Sequence, residues 1–273
     1  MNQRIAKALI NGLLIGGAVV ALFPLIWMLS VSFMQPGAAS ALPPPLLPAN
    51  ATWHNYEALF IHAGMGRYLL NSLLISGAIT VLSLACNLMA GYAFAKLRFH
   101  GRERLFQGLL GMLVIPAQVA MLPLFLMLKT MGLVNSYAAV IVPAMATAFG
   151  IFLVRQYARS IPDELMEAAR IEGAGELRIF TQIMLPLLKP IMVTLAIYTF
   201  LTAWNDFMWP LIALTGQNHY TLPIGLASLA REHAQDSELM MAGSVVTVIP
   251  VLALFLAMQR YYIEGLLLGS VKG

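Results

Sequence analysis

Six apolar stretches govern what this chain can become. They run near residues 8–33, 69–95, 106–128, 136–154, 187–213 and 240–262. Each is long enough, or nearly so, to cross a hydrocarbon core that takes about 20 helical residues. Composition agrees, with 60% of residues hydrophobic and 10% charged, against roughly 25% charged in ordinary globular chains. Lipid offers no partner for a backbone N–H or C=O, so such stretches are expected to be helices that satisfy themselves. The expected architecture is an all-α membrane protein with six transmembrane helices in one domain, 1–273.

Basic residues set the orientation. With the N-terminus inside, thirteen of the sixteen Lys and Arg residues fall on the cytoplasmic side, leaving only Arg67, Lys129 and Arg231 outside. Cytoplasmic loops carry such an excess. Both termini, and the loop 160–190 between spans four and five, are therefore expected in the cytoplasm. A net charge of +4 could suggest nucleic acid, but the cations are scattered among apolar runs rather than gathered on one face, and topology accounts for them. Ala39-Ser40-Ala41 has the look of a signal cleavage site, yet the apolar run before it is too long, and an uncleaved first span is expected. Cys86, inside an apolar run, is read as a small hydrophobe, which excludes a disulfide framework and a thiolate metal site. The five histidines all fall outside the spans without ligand-like spacing, so no metal site is expected.

One polar island interrupts the apolar chain, SIPDELMEAARIEGAGELRIFTQIMLPLLKP over 160–190. Ser160 and Asp163 have capping-box spacing and Pro162 suits a first helical turn, so a helix should begin there. Leu165, Ala168, Ala169 and Glu172 recur at three- and four-residue spacing, a small smooth face on which two alanines would let another surface approach. Gly173 should end the helix in a left-handed cap. A second amphipathic segment is expected over about 176–185, broken by Pro186, with Pro190 opening the next span. Taken alone, such a helix pair would pass for an ordinary loop on the bilayer surface.

The pattern Glu167-Ala168-Ala169, then Gly173-Ala174, then Ile183 and Leu185-Pro186 resembles the EAA loop of permease subunits of ABC importers. Gly173 is four after Ala169 and Ile183 ten after Gly173, as in that motif; Glu172 stands where the family more often has aspartate and keeps the charge. The length, Trp204-Asn205-Asp206 with Trp209-Pro210-Leu211, and the ending Gly265 to Gly273 look like the carbohydrate-uptake, maltose-permease-like branch. The resemblance implies a coupling helix that docks on a cytoplasmic ATPase through Glu167, Ala168, Ala169, Arg170, Gly173, Ala174, Ile183, Leu185 and Pro186, with a tail contact at Gly269, Val271 and Lys272. It further implies a heterodimer with a second permease subunit, two copies of the ATPase subunit and an extracytoplasmic substrate-binding protein, in a bacterial cytoplasmic membrane. Transport of a sugar or oligosaccharide by alternating access follows, with a polyol or glycerol phosphate as the alternative solute. No G-x-x-x-x-G-K-[ST] occurs, so no cofactor is expected on this chain, and ATP and Mg²⁺ belong to the partner ATPase.

Polar groups inside spans are pathway candidates. Asn205 and Asp206 lead, with Trp204 beside them and Asn87 as a weaker candidate that also suits helix-to-helix hydrogen bonding. Counted from Pro190, Asp206 lies roughly 24 Å along a core about 30 Å thick, near its outer edge. Trp204 and Trp209 there suit an aromatic belt. Asp206 as a proton carrier would instead make a secondary transporter, a rival reading. A membrane-embedded enzyme lacks any nucleophile, base and orienter triplet within a span. Outside, 34–67 should be extended through Pro43-Pro44-Pro45, with Trp53, Tyr56 and Leu59 at the interface. The loop 214–239 should hold a short amphipathic element, carrying Leu222, Ile224, Leu226 and Leu229, that meets a soluble donor protein.

Overall fold

The computed structural model describes residues 3–232 and 236–270. Among them there is no β-strand. The helices are α1 (Gln3–Ser32), α2 (His54–Glu57), α3 (Met65–Lys96), α4 (Arg102–Met112), α5 (Ala117–Thr130), α6 (Tyr137–Ala144), α7 (Ala148–Arg159), α8 (Glu164–Ile171), α9 (Glu176–Ile179), α10 (Leu185–Leu187), α11 (Lys189–Trp204), α12 (Met208–Ala213), α13 (Leu222–Glu232) and α14 (Ser237–Ser270). Four helical segments are long and apolar enough to cross a membrane, and two sharply bent pairs bring the number to six if each pair is one span.

Helix breaks interrupt three of the expected apolar runs, although Tyr137–Arg159 still has the length and apolarity of one crossing. The run 106–128 is two helices, α4 and α5, meeting at 102°, because Pro116 lacks an N–H and holds an extended ψ of 131°. The run 136–154 divides at 145–147, where Thr147 starts α7 by accepting the Gly150 N–H at 3.1 Å. The run 187–213 is α11 and α12, interrupted at 205–207. The last helix is longer than the expected 240–262 and continues to Ser270.

The chain forms two compact units, one of residues 1–69 and 222–251, the other of 70–221 and 252–273. In the first, α1 is apolar on every side, and none of its most apolar window is buried within the chain; the solvent for such a helix is lipid or another apolar surface. Its end is fixed by Asn55, whose amide donates to the Ser32 and Met34 carbonyls at 2.9 and 2.8 Å, and by Phe33 packed edge-on to Trp53 at 4.9 Å. The element expected in 214–239 is α13, which buries Leu222, Ile224 and Leu229.

The second unit is built on close approach of α3 and α7. A Cβ on Gly91 would come within 2.5 Å of Val154, and one on Gly150 within 2.3 Å of the Asn87 amide, so only glycine fits at either point. Beside them the buried Arg155 lies 3.7 Å over the Phe106 ring and pairs with Glu103 at 2.7 Å, tying α7 to α4.

Candidate coupling site

The segment 160–190 is two helices pinned to three longer ones. Buried Met166 and Ala169 of α8, Ile179 of α9, Met184 and Leu188 join Leu88 and Tyr92 of α3, Val154 and Ala158 of α7, and Ile191 and Leu195 of α11 in one hydrophobic cluster. Burying side chains of this size stabilises by about 1.5–3 kcal/mol each, so α8 is a packed part of the unit rather than a surface loop.

Gly173 has φ +83, as expected of a left-handed cap. The Ala174 N–H reaches the Ala169 carbonyl at 2.9 Å and the Gly173 N–H reaches the Arg170 carbonyl at 3.0 Å, the two bonds of a Schellman turn. The expected capping box does not form. The Ser160 hydroxyl instead donates to the Tyr157 carbonyl at the end of α7, and the Asp163 carboxylate is taken by Lys96.

Polar bonds reinforce the packing at two levels of α3, one turn apart. The Tyr92 hydroxyl donates to Glu176 at 2.9 Å, and Arg170 donates to the other Glu176 oxygen at 2.8 Å, bridging α8, α9 and α3. Lys96, whose side chain is 4% exposed, donates to the Ile161 carbonyl and pairs with Asp163. Hydrogen bonding from Lys96 holds the Asp163 carboxyl below its ordinary range, and Glu176 raises Arg170 above its own. A cleft of about 560 Å³ opens here, bordered by Lys96, Arg98, Asp163, Glu167, Arg170 and Glu176.

The two alanines do not share a face. Ala169 is buried in the cluster, while Ala168 is exposed on α8 together with Leu165 (44% exposed) and Ile171 (87%); on α9, Leu177 is exposed as well (76%). Glu167 precedes Ala168 in the chain, and its carboxylate makes no ion pair among the described residues. Pro186 does not break the second helix. Leu185 donates to Phe180, five residues back, in a π turn over Phe180–Met184, and this wider turn accommodates the proline ring. The bend of 78° comes at Leu188. Ile183 and Leu185 pack against the cluster.

The pathway candidates are dispersed. Asn87 is fully buried; its amide donates to Ser83 at 2.7 Å and its carbonyl oxygen accepts the Thr147 N–H at 3.0 Å, so it joins α3 to α7. Trp204 is buried against Phe200, and Trp209 donates its ring N–H to the Ala139 carbonyl at 3.0 Å. Both tryptophans are packed inside the unit rather than facing lipid as a belt. Asn205 is exposed at the break between α11 and α12, and Asp206 accepts the Trp209 N–H at 3.4 Å. The helix α14 includes Gly269, while Val271 and Lys272 lie outside the described residues. No group of three metal-ligating side chains occurs among the described residues. Sequence reasoning missed Tyr92, Lys96 and Glu176, whose pairing needs a distant partner; the only local signal was the four-residue spacing of Tyr92 and Lys96 at the end of an apolar run.

Several helices long and apolar enough to cross a membrane, with a packed helix pair between two of them, define a multi-pass membrane protein. A family model described as "Binding-protein-dependent transport system inner membrane component" matches residues 87–265. The chain belongs to this family, the permease subunits of ABC importers. It is 42% identical over 263 residues to the arabinooligosaccharides transport system permease protein AraQ of Halalkalibacterium halodurans, covering 94% of this chain and 93% of that one. To the diacetylchitobiose uptake system permease protein NgcG of Streptomyces coelicolor it is 34% identical over 263 residues, covering 95% and 87%. To the sn-glycerol-3-phosphate transport system permease protein UgpE of Yersinia enterocolitica it is 31% identical, covering 97% of both. The fold matches a crystal structure of a bacterial ABC transporter involved in import of the acidic polysaccharide alginate, with TM-score 0.84, 24% identity, and 96% and 98% of the two chains covered.

Proposed function

We propose that this chain is one of two permease subunits of an importer for a sugar or oligosaccharide, with six spans and both termini cytoplasmic. A cytoplasmic ATPase, in two copies, supplies ATP and Mg²⁺ chemistry, and an extracytoplasmic substrate-binding protein delivers the solute. The observation that carries this reading is the set of exposed apolar residues, Leu165, Ala168 and Ile171 on α8 and Leu177 on α9, on a helix pair that also buries residues against α3, α7 and α11. Exposed apolar surface on a rigid mount is what a partner subunit grips. The ATPase grips α8 there, Glu167 pairs with one of its cations, and its closure moves the three attached helices together. Gly269, Val271 and Lys272 add a second contact with the ATPase. The relatives named for arabinooligosaccharides and diacetylchitobiose favour an oligosaccharide over glycerol phosphate.

Asn205 and Asp206 stand where a span loses its helical hydrogen bonding. Non-helical backbone at membrane depth is tolerated where it is covered by protein or lines a watery cavity, which favours them over Asn87 and Trp204 at the outer mouth of the solute path.

The test is Glu167→Lys in the assembled transporter, with arabinooligosaccharide and glycerol 3-phosphate uptake measured in vesicles beside ATP hydrolysis. Hydrolysis is expected to persist while oligosaccharide uptake falls by about tenfold or more, the loss of one charge-assisted contact. Unaltered uptake overturns the coupling role, and glycerol phosphate uptake alone overturns the solute class.

A further inference from the structure

The turn between α3 and α4 is dense in arginine. Arg98, Arg102 and Arg104 fall with His100 around a cavity of about 470 Å³, and Gly101 at φ +78 makes the turn that folds them around one space. Little of that charge is balanced locally. Glu103, the one acid on the cavity, is bound to Arg155 at 2.7 Å, and Arg102 donates to the Leu97 carbonyl at 2.9 Å. Asp163, the acid that acts on Arg98, is held by Lys96. Arg98 and Arg104 make no ion pair among the described residues.

Immediately beyond the arginines the surface turns apolar. Leu105 and Met112, seven residues apart and so on one face of α4, are 60% and 65% exposed, and Phe99 sits exposed on the cavity rim. A cationic cavity continued by an apolar stripe matches a phosphate joined to an acyl chain. A free anion would account for the arginines and leave the stripe without a role.

We propose that this cavity holds the phosphate of an anionic phospholipid, with an acyl chain running along Leu105 and Met112. Arg98 and Arg104 supply charge-assisted hydrogen bonds whose planar fork suits phosphate oxygens. The inference rests on the topology proposed above, which puts this turn on the cytoplasmic side among anionic headgroups. It also gives the lipid a place in coupling, because Arg98 and Phe99 border the cleft shared with Asp163 and Glu167 as well. A headgroup held there sits beside α8 and adjusts the charge the ATPase meets.

The experiment uses the complete transporter reconstituted in phosphatidylcholine vesicles with and without phosphatidylglycerol, then released for native mass spectrometry to count retained lipid. The expected result is retained phosphatidylglycerol, reduced about five-fold by Arg98→Gln and again by Arg104→Gln. Arg159→Gln, at an exposed arginine on α7, should leave it unchanged, and the Lys variants at 98 and 104 should retain an intermediate amount. Equal retention by the Arg98→Gln, Arg104→Gln double variant overturns the site. Displacement by inorganic phosphate with no preference for phosphatidylglycerol reassigns it to a free anion and overturns the lipid. Loss of the ATPase subunit from the double variant with lipid retained assigns the surface to that partner and overturns it equally. Lipid counting needs no uptake, so failure of Glu167→Lys to uncouple transport is a separate result.

Discussion

Tyr92 and Glu176 meet hydroxyl to carboxylate at 2.9 Å, where α3 touches the helix that follows Gly173. Since Arg170 holds the other carboxylate oxygen, this contact joins α3 to both halves of the helix pair 160–190. Tyr92→Phe keeps the ring against Phe180, 5.2 Å between centroids, and removes only the hydrogen bond. It should cost about 1 kcal/mol of local stability, seen as faster amide exchange in residues 176–187 with little change in 148–159. Uniform protection across both segments would show that the cluster alone holds α9.

Gly173 and Gly175 offer a paired comparison. A Cβ at Gly173 meets no atom within 4 Å, yet its φ is +83, so the penalty is conformational, about 1 kcal/mol or more for a β-branched residue. Gly175 has an ordinary φ of −73. Gly173→Val should therefore weaken co-purification with the ATPase and Gly175→Val should not. Equal recovery of the two would remove the Schellman turn from the account of coupling.

The approach of Gly91 to Val154 predicts a compensated pair. Gly91→Ala places a methyl 2.5 Å from Val154 and should destabilise by about 1–3 kcal/mol through overpacking. Val154→Ala makes room, and the double variant should recover part of the loss. A thermal-denaturation cycle measures this; strict additivity would mean that α3 and α7 shift apart without strain.

Asp163 predicts an acid limit for the local stability of α8. Its folded carboxyl titrates below the ordinary value of 3.8 because Lys96 hydrogen-bonds the ionised form. The contribution to stability is thus complete above that ordinary value and is lost as pH falls through the lower folded one. Since the Asp163 side chain is 71% exposed, solvent screening keeps the contribution small. Amide exchange of residues 160–171 should be flat from neutral pH down to about 4 once corrected for intrinsic rates, then rise. In Asp163→Asn that rise should vanish, with protection already lowered at neutral pH because Lys96 keeps only the Ile161 carbonyl. A rise that persists in the variant would assign the acid step to another group.

Apolar length carried most of the helical architecture, because a run of that length and composition can satisfy its backbone in lipid only as helix. The turn at Gly173 was legible too, since a left-handed cap has a strong residue preference. Breaks within spans were not. Pro116 lies inside an apolar run whose hydrophobicity hides the missing N–H, and Pro186 failed as a breaker because a π turn absorbed it. The capping box failed for a different reason: Asp163 has its local partner in sequence and a stronger one, Lys96, in space. The division of labour between Ala168 and Ala169 follows from which side of α8 the Met166 cluster occupies, and local spacing cannot supply that.

The bare surface of α1 bears on biogenesis. No residue in its most apolar window depends on later parts of the chain for cover, so the helix can partition from the translocon into lipid as soon as it is made. If Arg4 and Lys7 stay on the inner side, as proposed above, this first helix biases the direction of the crossings that follow. The helix pair around Gly173, by contrast, needs Leu88, Tyr92, Val154 and Ala158 already in place before its own buried residues find cover.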